Sequence, residues 1–322
     1  QADILVISNG NDGQILFLIP LFRSLYDKRK GAFNGDFMFF SDHLTEESQT
    51  RLKEANVPHT LLAEDVVTAW EELLHSQKHA LGKVAKPLFI KYAIETMGHE
   101  YTTLIYIDPD ILIQKPLVDV IEPLASAGSG VFYSAQLNPT LKIRWPKMQL
   151  KRTFNNGHLS PEDLNSFSPE INTGFMFGDI PSISSFMDEL LEFMTSEPYN
   201  MYANADHDVE IPNDWHDQDF FRVFARLGEN DQKFSIIPEG IIYHLCNDVY
   251  HEFKLVPFTN ILKHKSSGEV PHLVHFAGGV WVHYFWLAMY FFGVEGLRQW
   301  LERKLRPNIR AMRRFLNKKK NR

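Results

Sequence analysis

The stretch Leu104-Ile105-Tyr106-Ile107-Asp108-Pro109-Asp110-Ile111-Leu112-Ile113 decides how the chain is read. Four apolar residues, two of them isoleucine, reach two carboxylates, and the apolar run then resumes. A short run of this kind, rich in β-branched and aromatic residues, predicts a strand buried on both faces, as strands of largely parallel sheets are. Pro109 has no amide donor and cannot continue a central ladder, so the chain leaves the sheet there. Asp108 and Asp110 are therefore expected at the strand's carboxyl end, where open α/β sheets bind ligands. Residues two apart in an extended turn can aim their carboxylates at one point. Their repulsion raises each pKa unless a cation stands between them. An exposed loop carrying two solvated acids is the plainer alternative, and it stands beside the metal-binding one at this stage.

Working outward, the elements alternate. Asp3 to Ser8 has the pattern of a buried strand, and the polar, glycine-containing turn Asn9 to Gly13 leads into a helical pattern over Ile15 to Tyr26. Such a turn lets a ligand approach the backbone, and a helix N-terminus favours anions. It is not the GxGxxG of dinucleotide sites, and an ordinary strand-to-helix turn would look the same. A second strand is expected over Asp36 to Ser41, a helix from Thr45 to near Asn56, and a short strand over Pro58 to Leu62. A helix from Lys86 to Met97 precedes the strand that carries Asp108, and Lys91 on it can reach towards a phosphate. Strands and helices spaced this way predict βαβ units and a mainly parallel sheet.

Beyond Asp110, a short helix follows Pro116 and a strand covers Gly130 to Ser134. Residues 136–170 are polar and aperiodic, with Lys142, Arg144, Lys147, Lys151 and Arg152 clustered, as an acceptor-binding excursion or lid would be. Glu170 to Phe177 is read as a turn feeding a strand, and Pro181 to Thr195 as an amphipathic helix. Asp217, Gln218 and Asp219 open a further helix, where acids also serve as caps against the helix dipole. Two short strands follow, over Phe234 to Pro238 and Ile241 to Tyr243. His275 ends an apolar run before Gly278 and Gly279. A histidine there is often structural; as a third ligand beside two aspartates it suits Mn²⁺ or a similar divalent ion.

Bulk properties narrow the function classes. The formal net charge of −7 argues against general nucleic-acid binding. The single cysteine, Cys246, excludes an intrachain disulfide framework and fits a reducing compartment. No run of 18 apolar residues is present to form a membrane span. From Trp281 the texture changes: an aromatic, amphipathic stretch to Trp300 precedes a segment dense in lysine and arginine. A basic helix of that composition is expected to lie on an anionic membrane surface, or else to pack on the core with a solvated terminus.

In this order, the segments resemble the GT-A-fold glycosyltransferases, and within them the retaining family of bacterial lipopolysaccharide galactosyl- and glucosyltransferases and glycogenin. Asp108-Pro-Asp110 is similar to the DxD motif of that family, Asn172-Thr-Gly174 to its Asn-Ala-Gly segment, and Asp217-Gln-Asp219 to its Asp-Gln-Asp segment. His275-Phe-Ala-Gly278 is similar to its His-x-x-Gly segment, and Lys91 lies where the family usually has an arginine. The family's lysine and Lys-Pro-Trp ending are absent, and Trp281 stands at the lysine's place.

The resemblance implies an α/β GT-A domain over 1–280, Rossmann-like, with a basic helical extension over 281–322. It implies a hexosyltransferase that moves a sugar from a nucleotide diphosphate donor, a UDP-sugar in the first instance, to a glycan or glycolipid with retention of configuration. Asp108, Asp110 and His275 would hold Mn²⁺ or Mg²⁺. Asn9, Asp12, Lys91, Asp108, Asn172, Gly174 and Gly278 would contact the donor, and Gln218, Asp217 and Asp219 would act at the sugar. The expected location is cytoplasmic, peripheral on the membrane, or the Golgi lumen in a eukaryote. Competing classes are an inverting GT-A transferase, a sugar nucleotidyltransferase, and an inactive sugar- or membrane-binding module.

Overall fold

The structure is a computed structural model. It describes residues 3–74, 85–126, 130–136, 170–195, 217–225, 229–238, 240–245, 250–256, 259, 261–276 and 301. Gly278, the basic cluster of residues 142–152 and, apart from Leu301, the expected tail over 281–322 lie outside these residues. No helix among the described residues is long and apolar enough to cross a membrane.

The chain divides into two compact units, one of residues 1–244 and 272–275, the other of residues 245–271 and 276–322. In the first, β1 (Ile4–Asn9) is followed by α1 (Ile15–Tyr26), β2 (Asp36–Ser41), α2 (Glu46–Glu54), β3 (His59–Leu61) and α3 (Glu64–Leu73). Next come α4 (Lys86–Met97), β4 (Thr103–Ile107), β5 (Ile111–Ile113), α5 (Val118–Ser126), β6 (Val131–Gln136) and β7 (Glu170–Asp179). The unit continues with α6 (Ile180–Thr195), α7 (Asp217–Phe224), β8 (Phe234–Ile236) and β9 (Ile242–His244). The second unit contains an antiparallel pair, β10 (Phe253–Leu255) with β11 (Leu262–His264). Strand β12 (Leu273–His275) returns to the first unit.

Seven strands form one sheet in the order β3-β2-β1-β4-β7-β6-β8. Only β7 runs against its neighbours, β4 and β6, so the sheet is mainly parallel. Both faces are covered, and alternate side chains serve opposite faces. Leu5, Ile7, Leu104 and Tyr106 pack with Phe89 of α4, Phe186 of α6 and Phe221 of α7. Ile4, Val6, Ile105 and Ile107 pack with Ile15, Leu18 and Leu21 of α1. This parity has a functional consequence. Asn9 continues the Leu5–Ile7 series and Asp108 the Leu104–Tyr106 series, so both emerge at the sheet's carboxyl edge on the α4 side.

A second sheet joins β5, β12 and β9, with β12 antiparallel to β5 and parallel to β9. The resumed apolar run after Asp110 therefore belongs to another sheet. The turn between the two sheets closes with the Ile111 amide on the Asp108 carbonyl at 3.2 Å. Pro109 occupies the second position of that turn, where its fixed φ is favourable.

One element differs from its sequence expectation. Residues from Glu170 form a continuous strand, not a turn feeding one. The pairing of β6 with β7 passes from Tyr133–Met176 directly to Ser134–Asn172, so Thr173, Gly174 and Phe175 bulge out of that ladder. The Ser134 hydroxyl lies 3.1 and 3.2 Å from the carbonyls of Asn172 and Phe175 and holds the two ends of the bulge. A bulge bends its strand and re-aims side chains, and here it does so beside Asp108.

Candidate functional site

Asp108 leaves β4 at the carboxyl edge, and its amide donates to the Gly174 carbonyl at 2.7 Å. Its Oδ1 lies 2.7 Å from the Tyr106 hydroxyl, which is also 2.7 Å from Oδ1 of Asn9. The one hydroxyl proton is shared between Asn9 Oδ1 and the charged carboxylate, which is the stronger acceptor. Burial, then the charge of Asp108, pushes the Tyr106 hydroxyl far above its ordinary pKa, so it stays a donor. Asn9 and Asp108 thus meet at the Tyr106 hydroxyl.

The cation that meets Asp108 is Lys86, at the first position of α4. Its Nζ lies 3.0 Å from Asp108 Oδ1, 3.0 Å from Asp217 Oδ2 and 3.0 Å from the Thr173 carbonyl. Three ammonium protons thereby find three oxygens. Thr173 Oγ1 donates to Asp217 at 2.6 Å, so the bulge, the start of α7 and the end of β4 are tied together. Burial disfavours the charged lysine, but Asp108 and Asp217 outweigh it and hold the ammonium pKa above its usual value. Lys91 is engaged elsewhere: its Nζ is 2.7 Å from Asp188 and 3.1 Å from Ser184, both on α6. Among the described residues, Lys86 is the lysine at Asp108, whereas Lys91, expected at the donor's phosphate, pairs with α6. The two lie five positions apart on α4 and so project in directions well apart.

His275, at the end of β12, meets the acids from the other sheet. Its Nε2 is 3.1 Å from Asp110 Oδ1 and 3.9 Å from Asp108 Oδ2. One ligand atom from each of Asp108, Asp110 and His275 falls within 4.8 Å of the others. Burial disfavours the imidazolium, but Asp110 and then Asp108 outweigh it and raise the His275 pKa above 6.5. Asp110, half-buried, is held below its ordinary value by His275. The site therefore already stabilises positive charge at the point where the three side chains converge. Two carboxylates and one imidazole at this spacing fit a divalent cation with O/N preference.

Gly174 is part of the same geometry. A Cβ there would stand 2.6 Å from His275 Cε1 and 2.8 Å from Asp108 Oδ2. Asn172 shapes the bulge from within, its Oδ1 accepting the Gly174 amide at 2.8 Å. Asp12 is committed to α2, accepting from the Thr45 amide at 3.0 Å and hydroxyl at 2.9 Å. The turn before it is held by Asn11 and Gln14, whose side chains and amides form a capping box. Gln218 is half-buried in the first turn of α7 beside Asp217; Asp219 belongs to the same turn, and its side chain lies outside the described residues.

No protein-family model matches the chain, and no curated protein matches it in sequence. Solved structures do match. Mouse xyloside xylosyltransferase 1, in its apo form, superposes with a TM-score of 0.51 at 12% identity, covering 86% of this chain and 99% of that one. The fold is that of the GT-A glycosyltransferases. The bifunctional glycosyltransferase WbbM matches this GT-A chain with a TM-score of 0.51 at 15% identity, over 86% of this chain and 46% of its own length. An active-site mutant of LgtC gives 0.48 at 11% identity, over 85% of this chain and 87% of that one. The sequence-level expectation of a GT-A fold is met, including the mainly parallel sheet.

Three site residues escaped the sequence reading: Lys86, Thr173 and Tyr106. Only Tyr106 carried a usable signal, since its parity in β4 matches that of Asp108.

Proposed function

We propose that this chain is a metal-dependent glycosyltransferase that takes a hexose from a nucleotide diphosphate donor, UDP-linked in the first instance, and passes it to a glycan or glycolipid. The observation that carries this is the convergence of Asp108, Asp110 and His275 at the carboxyl edge of a GT-A sheet, next to the Lys86–Asp217 pair. Asp108, Asp110 and His275 would hold Mn²⁺ or Mg²⁺, which when bound supplies Lewis-acid stabilisation of the negative charge on the departing diphosphate. Lys86 adds a fixed positive charge beside Asp108 and fixes Asp217. Asp217 and Gln218, on the first turn of α7, would face the sugar as positive charge builds at its anomeric carbon. Tyr106 and Thr173 keep these charged groups from drifting, which lowers the reorganisation needed at the moment of reaction. Transfer with retention follows the family resemblance.

A thermal-shift screen with UDP, GDP and CMP, each with and without Mn²⁺, tests the donor class. The expected result is a Mn²⁺-dependent rise in melting temperature with UDP. A rise that ignores Mn²⁺, or none with any nucleotide, would overturn the proposal. Proton NMR of the first-formed glycosidic product then reads the anomeric outcome.

A further inference from the structure

Strand β9 runs parallel to β12 in a register that sets His244 opposite His275. Both side chains are buried, at 6% and 5% exposure. Their Nδ1 atoms are 2.8 Å apart, with the rings inclined at 77°. Two imidazole nitrogens at that distance share one proton, so one donates and the other accepts. When Nε2 of His275 ligates a cation it carries no proton, and the ring's remaining proton must sit on Nδ1. That N–H is aimed at Nδ1 of His244. His244 is then the acceptor and keeps its own proton on Nε2.

We propose that His244 is a positioning residue for the candidate metal centre: its Nδ1 accepts the Nδ1–H of His275, holding the ring and selecting the tautomer that presents Nε2 to Asp108 and Asp110. The inference rests on the reading of Asp108, Asp110 and His275 as a divalent-cation site. A metal-ligating histidine ordinarily donates its other N–H to a carboxylate, a carbonyl or water, and that partner fixes both tautomer and orientation. Here the partner is a neutral imidazole, which orients the ligand without adding a negative charge to a site that already has two.

A second observation separates this role from plain core packing. Nε2 of His244 is buried and has no hydrogen-bond partner among the described residues. An unpaired buried N–H costs free energy, and an apolar side chain of similar size would avoid that cost. The ring is accounted for by what its other nitrogen does.

The test titrates the full chain with MnCl₂, reading free Mn²⁺ by electron paramagnetic resonance. The visible spectrum of the Co²⁺-loaded protein and the melting temperature without metal are recorded alongside. His244→Leu is expected to bind Mn²⁺ about 10- to 100-fold more weakly than the parent and to alter the Co²⁺ bands, the metal-free melting temperature showing that the protein is folded. His244→Asn places Oδ1 where Nδ1 stood, and is expected to recover affinity to within about threefold of the parent. A Leu variant that binds within about twofold of the parent, or an Asn variant as weak as the Leu variant, would overturn the inference. If the Leu variant does not fold, the Asn variant decides: near-parental affinity supports the role, and a loss of about tenfold or more removes it. Absence of Mn²⁺ binding by the parent chain is a different failure, since it removes the metal centre itself.

Discussion

Gly174→Ala is the most informative single perturbation. Gly174 is not among the residues with positive φ, so alanine meets no backbone penalty there, and the glycine is required by close approach alone. The added methyl would lie 2.6 Å from His275 Cε1, 2.8 Å from Asp108 Oδ2 and 2.8 Å from Asn172 Oδ1. Ordinary contact is about 3.5 Å, so each neighbour must withdraw by roughly 0.7 Å or more. His275 has little room to do so, with Nδ1 against His244 at 2.8 Å and Nε2 against Asp110 at 3.1 Å. Overpacking of this kind costs about 1–3 kcal/mol. If that cost falls wholly on the metal complex, Mn²⁺ affinity drops by about 5- to 150-fold. If the metal-free protein bears it, urea unfolding shows it as lost stability. Calorimetric Mn²⁺ titration and urea melts together account for both. Gly98→Ala, at the end of α4 where the nearest atom is a flexible Ile94 methyl at 3.3 Å, is the control and should leave affinity unchanged. A Gly174→Ala protein with parental stability and Mn²⁺ affinity would refute the reasoning.

Three further outcomes are expected. Lys86→Met strands the Asp108 and Asp217 carboxylates, and should cost about 3–5 kcal/mol in metal-free urea melts, with part of the loss restored by Mn²⁺; a variant as stable as the parent would show the pair to be idle. Gln218→Ala and Asp217→Asn should keep nucleotide-sugar affinity while kcat falls by about 10²-fold, since an interaction made mainly in the transition state lowers kcat and kcat/KM together; loss of affinity in step with rate would make them ground-state contacts. Finally, the His275 pKa in the metal-free protein is raised, so the stability it contributes is complete below pH 6.5 and is lost as pH rises through the folded value. Mn²⁺ affinity should rise over the same window, because the cation must displace that proton. Titrations from about pH 5.5 to 8.5 check both slopes, and His275→Gln should flatten them.

Much of the frame was legible in the order of residues. The run before Asp108, the break at Pro109 and the helix over Lys86–Met97 all follow from local constraints: β-branched burial, a missing amide donor, and helical periodicity ending at Gly98. The convergence of Asp108, Asp110 and His275 was expected, and the structure brings them together. What the sequence did not show was that Lys86 enters the site. Lys86 and Lys91 lie on one helix, and nothing local distinguishes a lysine that enters a site from one that pairs with the next helix. Packing of α4 against the sheet and α6 makes that choice, because it turns Lys86 over Tyr106, 4.9 Å from the ring centre, and Lys91 towards Asp188.

The sequence by itself determined the alternation of strands and helices, the two-faced burial of β1 and β4, and the strand-end position of the two aspartates. Each of these depends on neighbours within one element, where periodicity and turn chemistry act. Only the tertiary structure decided that Thr173 to Phe175 bulge from β7, that Lys86 joins Asp108 to Asp217, and that His244 stands behind His275. Those are pairings between residues about 20 to 130 positions apart, the bulge set by the register of β6 against β7 and the histidine pair by that of β12 against β9. A register shift of one residue would turn His244 to the opposite face while leaving every local pattern in the sequence unchanged.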